Sequence, residues 1–207
     1  DAALLRTVLD ADWVRCGEPW SKSMLLLVAG LPGTGKTHFV RRLLQELPFL
    51  VLETDRLRKE LVPSPTYTPS EHRRLFDSCH LLIYEYLAQE YPVLFDATNL
   101  TEGSRTPLYQ IAKSLGRQFA VVEVTAPREV VRRRLQSREA GLDPDTNSDA
   151  RWLVYCRMAQ VWEPIVQKHY LVDSSLDTTV GLEQVVKWAS SAGVGRSSQS
   201  KLGDSTE

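Results

Sequence analysis

The chain has 207 residues, 43% hydrophobic and 25% charged, which fits one well-buried soluble globular domain with short appendages. A formal net charge of −1 supplies no global field for a polyanion, so a nucleic-acid site would have to rest on local arginine clusters. No apolar run reaches membrane-spanning length, and Cys16, Cys79 and Cys156 form no metal-spaced or C-x-x-C pattern, so they read as reduced thiols of a cytoplasmic protein, or a nuclear one in a eukaryote.

Leu4, Leu5, Val8 and Leu9 recur at helical spacing, so residues 1–23 read as a lead-in helix and linker packing on the domain. The N-terminus has neither a signal-peptide layout nor a starting methionine, in keeping with a processed form or a domain cut from a longer, fused protein. The main domain is expected over residues 24–189. It opens with a buried strand at 24–29 and continues with a helix at 37–47, a strand at 49–53 and a short helix at 56–61. Thr68-Pro69-Ser70-Glu71 carries the threonine cap, first-turn proline and glutamate of a helix start, and this helix should run to about Gln89. Then follow a strand at 93–96, a helix at 104–115 closed by Gly116, a strand at 119–124 and an arginine-rich helix at 128–139. Residues 141–149 are turn chemistry and read as mobile, 150–162 return to helix, 170–173 form a fifth strand and 182–189 a last helix. Residues 190–207 have nothing to bury and read as a disordered tail. The alternation predicts an α/β fold, three layers with a central parallel sheet of about five strands.

Between the first strand and helix stand Gly30, Leu31, Pro32, Gly33, Thr34, Gly35, Lys36 and Thr37, a complete phosphate-binding G-x-x-x-x-G-K-[ST] pattern. Glycines admit backbone N–H groups to phosphate oxygens, and the following helix aims its positive end at the anion. A nucleoside triphosphate is the expected ligand, with Lys36 on the β- and γ-phosphates and the Thr37 hydroxyl on Mg²⁺. After the second strand, Asp55 could accept a proton from an attacking hydroxyl, or merely cap a helix; Arg58, one turn on, could hold an acceptor anion. Asp96-Ala97-Thr98-Asn99 is an apolar strand ending in aspartate, the layout in which a carboxylate holds a Mg²⁺-bound water or orients a neighbour. Arg134 and Arg138 are four residues apart and share a helix face, where a closing lid could bring them to the transferred phosphoryl group. Arg132 and Arg133 are expected in water, and Arg73 and Arg74 are weaker candidates for an acceptor phosphate. Trp152, Tyr155 and Trp162 read as core.

The order of these residues, with Ala126-Pro127, Ser148-Asp149-Ala150 and Trp162-Glu163-Pro164, resembles the predicted-kinase family of P-loop proteins that includes phage-type 5′-hydroxyl polynucleotide kinase. The resemblance covers about residues 24–173. It implies an adenylate-kinase-like three-layer domain, ATP with Mg²⁺ as donor and a small arginine-bearing lid. By position it makes Asp55 the general base, Arg58 the residue engaging an acceptor phosphate and Asp96 a support for it or for the metal. A polynucleotide 5′-hydroxyl is the first acceptor it suggests, and a sugar, nucleoside or antibiotic the alternative. A nucleotide-dependent ATPase switch is the rival class, against which Phe95-Asp96-Ala97 lacks the adjacent glutamate that AAA+ ATPases use to activate water.

Overall fold

Five parallel strands make the sheet: β1 (Met24–Ala29), β2 (Leu50–Glu53), β3 (Val93–Asp96), β4 (Gln118–Thr125) and β5 (His169–Asp173), in the order β2-β3-β1-β4-β5. The structure, a computed structural model, describes residues 1–14, 23–140 and 151–191. The stretch 141–149 expected to be mobile, Cys16, and all of the expected tail but its first two residues lie outside the described residues. Ser190 and Ser191 belong to the last helix.

The apolar strands need cover on both faces because parallel pairing forces helical crossovers. Alternation along β1 divides the core accordingly. Leu25, Leu27 and Ala29 point to one side, and Met24, Leu26 and Val28 to the other, all fully buried. Helices α1 (Ala2–Val14), α3 (Thr54–Leu61), α4 (Pro69–Ala88) and α5 (Glu102–Ser114) cover the first side; α2 (Lys36–Glu46) and α8 (Thr179–Ser191) cover the second. Leu5 and Leu9 of α1 are fully buried in the first core, and Asp10 and Asp12 of the same helix accept from Tyr86 and Arg56. A third small cluster joins α6 (Arg128–Glu139) to α7 (Trp152–Gln160) through Val131, Leu135 and Tyr155.

Two helix starts and one capping contact depart from expectation for identifiable reasons. α3 starts directly at the end of β2, so Asp55 lies inside its first turn and Glu53 holds the cap position; Asp55 is therefore not the helix cap. α5 starts at Glu102 rather than Ser104 because Thr101 and Ser104 form a reciprocal capping box. Its end is as expected: Gly116 at φ 63° closes a Schellman turn in which Arg117 N–H donates to the Ala112 carbonyl. At α4, Thr68 caps the Glu71 N–H as expected, but the Glu71 carboxylate turns to Thr66, Tyr67 and Arg58 instead of Thr68.

Arg105 is the one charged side chain in the molecule's described part that is 0% exposed. It sits on the apolar face of α5 with Leu108, Tyr109 and Ala112. Its guanidinium donates to the Asn99 carbonyl at 2.7 Å, the Glu163 and Pro164 carbonyls at 2.8 and 3.0 Å, and Glu102 at 2.9 Å, with Trp162 stacked 5.7 Å away. One cation thus stitches the segment after β3 to the segment after α7. Arg105→Ala strands one buried and two part-buried carbonyls and empties a fully buried site, so unfolding stability should fall by about 3 kcal/mol or more, read as a lower denaturant midpoint at unchanged slope.

Candidate active site

The strand ends set the site. Glu53 of β2 pairs in register with Asp96 of β3, and Asp96 with Val28 of β1, so three chains turn outward side by side at the carboxyl edge. Thr54 Oγ1 donates to the Asp96 carbonyl, Asn99 Nδ2 to the Val28 carbonyl, and Gly30 N–H to the Thr98 carbonyl, which binds the turns to one another. Asn99 accepts a left-handed backbone, φ 49°, to do so.

The Gly30 to Thr37 loop wraps the start of α2. Two of its glycines are demanded by the protein itself as well as by a ligand. A Cβ on Gly30 would stand 2.3 Å from the Val124 carbonyl oxygen, and one on Gly35, at φ 93°, would stand 2.9 Å from Ser174 Oγ. Lys36 Nζ donates across the loop to the Gly30 and Leu31 carbonyls at 2.9 and 3.2 Å.

A pocket over this loop is lined by Pro32, Gly33, Gly35, Lys36 and Thr37 on one side and by Glu53, Thr54, Asp55, Asp96, Ala97 and Thr98 on the other, with Arg138 above. The structure therefore brings together Lys36, Thr37, Asp55, Asp96 and Arg138. Burial lowers the pKa of Lys36, with Asp96 and Asp55 opposing that shift. Burial also pushes the Asp96 carboxyl up to about 7; Lys36 opposes this, while Glu53 and Asp55 add to it. An ammonium among three carboxylates, all at one rim, is a site built to receive both a polyanion and a cation.

A second, more open groove continues from the loop along α2 and α6, lined by Gly35, Thr37, His38, Arg41, Arg133, Arg134, Ser137, Arg138, Ser174 and Ser175. Here the two arginines of α6 part company. Arg134 donates to Ser174 Oγ and the Ser174 carbonyl, both at 2.8 Å, and to the Gly33 carbonyl at 3.4 Å, while Ser174 Oγ donates to the Thr34 carbonyl. Arg134 thus ties α6 and the turn after β5 to the phosphate loop, and Arg138, one turn on, is the arginine lining the inner pocket. Ser174 escaped the sequence reading because its partners lie 40 and 140 residues away.

The remaining candidates fall elsewhere. Arg58 is 6% exposed and paired with Glu71 at 2.7 Å. Arg73 is exposed, and Arg74 makes a two-pronged bond to Asp1 of the N-terminal segment, so neither stands among the pocket-lining residues. Arg132 is exposed as expected but packs 5.7 Å from the Trp152 ring, which also carries Arg128 and stacks on Tyr155. Arg105 was missed as well; its visible signal was a charge on an otherwise apolar helix face.

Known proteins resemble this chain in sequence or in fold. The L-seryl-tRNA(Sec) kinase of Methanococcus maripaludis is 28% identical over 116 residues, 54% of this chain and 44% of that protein, so the match spans less than half of the relative's length. Among solved structures, Chaetomium thermophilum Kti12 in complex with ADP-AlF3 superposes with a TM-score of 0.63 at 21% identity, covering 83% of this chain and all of that one. The Mycobacterium tuberculosis APS kinase CysC, in complex with AMPPNP and APS, superposes with a TM-score of 0.60 at 16% identity, covering 84% and 99%. These likenesses establish the fold of the P-loop kinases. Residues 25–164 match the AAA_33 family, described as an AAA domain, and the chain belongs to that P-loop family.

Proposed function

We propose that the chain is an ATP-dependent kinase that passes the γ-phosphoryl group to a hydroxyl. The observation that carries this reading is the Asp55 carboxylate, which shares one pocket with the phosphate loop, Lys36 and Arg138. A switch or motor needs a water-activating group at the end of β3, where Ala97 follows Asp96; a kinase needs a carboxylate across from the phosphates, where Asp55 stands.

In this reading the backbone N–H groups of the loop and Lys36 hold the β- and γ-phosphates. Asp55 takes the acceptor proton as the hydroxyl oxygen bonds to the γ-phosphorus, and the bond from that phosphorus to the β,γ-bridging oxygen breaks to release ADP. Arg138 neutralises charge on the phosphoryl group in flight, and Arg134 keeps the loop and α6 in register with it. Thr37 and Asp96 fit a magnesium ion, since both line the pocket and a divalent charge relieves the cost of ionising the buried Asp96. Magnesium would supply charge neutralisation between the β- and γ-phosphates.

Two acceptors are in view. The name of the archaeal relative supports a nucleic-acid-borne hydroxyl, and a polynucleotide 5′ end is the form first suggested by the sequence. The pairing of Arg58 with Glu71 favours the second reading, a small hydroxyl compound, because the arginine meant for an acceptor phosphate already has an anion. A screen with γ-labelled ATP, covering RNA and DNA 5′ ends beside sugars and nucleosides, separates them; hydrolysis equal with and without every acceptor would refute the kinase.

Lys36→Ala and Arg138→Ala should each lower kcat by about 10²-fold or more, and Asp55→Asn by about 10²- to 10⁴-fold with the Kd for ATP nearly unchanged. Full turnover in Asp55→Asn would remove its role as base.

Asp96 gives a pH signature. The unfolded chain releases this proton near the ordinary 3.8, whereas the folded chain holds it to about 7, so between those values the folded state binds more protons and this group costs stability as pH rises. The thermal midpoint of the ligand-free protein should carry that falling contribution, and Asp96→Asn should remove it. Mg²⁺ with a non-hydrolysable ATP analogue should flatten it in the wild type.

A further inference from the structure

The connection between α3 and α4 ends in an arrangement that the chemistry above does not use. Arg58 follows Asp55 by one helical turn on α3, so the two project along the same side. Its Nη1 donates to Glu71 Oε1 at 2.7 Å, with both side chains 7% exposed. The other carboxylate oxygen, Oε2, accepts from Thr66 N–H at 2.8 Å, Thr66 Oγ1 at 3.1 Å and Tyr67 N–H at 3.2 Å. Four donors, two of them backbone, converge on one carboxylate at the start of α4. They hold the Glu71 carboxyl down at about 2, the Arg58 hydrogen bond contributing most, so it is ionised at any working pH.

The same contacts shape the chain above. Tyr67 stands in the left-handed backbone region at φ 55°, a cost that a non-glycine residue bears only when its surroundings impose it. Its half-exposed ring lies 4.9 Å from the Arg58 guanidinium carbon. Arg58 Nε is buried and has no hydrogen-bond partner, so the guanidinium is held by the salt bridge and the ring rather than by a full set of acceptors. On α4, burial lowers the pKa of His72, a shift to which the Arg58 charge adds, and raises that of Cys79 to about 12, a shift that the Arg58 charge opposes. Both are therefore uncharged near neutrality, which leaves Arg58 and Glu71 as one positive and one negative charge in contact.

We propose that Glu71 sets acceptor specificity: by engaging Arg58 and pinning Thr66 and Tyr67, it makes the junction of α3 and α4, one helical turn from Asp55, neutral and aromatic, suited to an uncharged part of a hydroxyl acceptor and closed to phosphate. This rests on the reading of Asp55 as the acceptor-side base. A phosphate could bind Arg58 only by displacing a carboxylate that is also held by two backbone N–H groups and the Thr66 hydroxyl. The sequence-level assignment of Arg58 to an acceptor phosphate is replaced by a role in positioning Tyr67.

The test follows the Arg58 Nε–H signal by NMR while inorganic phosphate is titrated against matched chloride, with Mg²⁺ and a non-hydrolysable ATP analogue filling the phosphate loop. In the wild type the signal should show no saturable shift. In Glu71→Gln the amide oxygen can still accept from Thr66 and Tyr67, but the cation is no longer neutralised, so phosphate should bind at least about tenfold more tightly with a saturable Arg58 shift. A saturable shift in the wild type, or none in a folded Glu71→Gln chain, would overturn the proposal. Should Glu71→Gln not fold, the wild-type titration alone decides. The readout is binding, so absence of phosphotransfer to every acceptor would sink the kinase reading and leave this result standing.

Discussion

An ionisable side chain at the end of a fully buried strand is the constraint on which this site depends. Asp96 closes β3, whose four residues are all buried, and it stands between the ends of β1 and β2. Removing a carboxylate from water costs far more than any single contact returns, so burial holds the proton of this group up to about 7 even though Lys36 shares the pocket and opposes the shift. Lys36 is the protein's own answer, and it carries the mirror-image cost of a lysine pushed towards neutrality. Each charge eases the cost of the other without cancelling it. The loop, the helix behind it and the turns beside it all serve to hold that pair at the rim.

Rigidity around the pair is supplied by arginines acting as structural cations. Arg105 ties the turn after β3 to the segment after α7, Arg134 ties the phosphate loop to the turn after β5, and Arg58 ties α3 to α4 through Glu71. In each case a planar guanidinium with several donors reaches carbonyls or carboxylates from parts of the chain that share no hydrogen-bonded ladder. Arg138 differs in facing the pocket over the phosphate loop. The four arginines thus divide between tying segments of the chain together and facing the pocket, a division that residue type alone does not express.

The same logic explains why the acceptor side is the less legible half. Phosphate recognition uses backbone N–H groups presented by a local loop, so its spacing is visible in eight consecutive residues. In the proposed reading, acceptor recognition draws on α3, α4 and the connection between them. There, the meaning of Arg58 depends on whether Glu71, thirteen residues later, turns back to its own helix start or across to the arginine. The capping pattern Thr68-Pro69-Ser70-Glu71 is compatible with both, and the tertiary contact wins because it neutralises a buried charge, whereas the alternative would satisfy one N–H.

Much of the architecture was determined by the sequence itself. The alternation of apolar strands with amphipathic helices requires a parallel sheet covered on both faces, and each of the five strands lies within a residue or two of its apolar run because burial on both sides leaves no other place for those residues. Helix ends that rest on local chemistry, such as Thr68 before α4 and Gly116 after α5, were equally readable. What only the tertiary structure decided is the partner of each charge. Arg58, Arg105 and Arg134 look alike in a string of residues, and their partners are carbonyls and carboxylates up to 101 residues distant. Long-range electrostatic pairing has no period and no fixed spacing, so the fold must bring the groups together before the chemistry can be read.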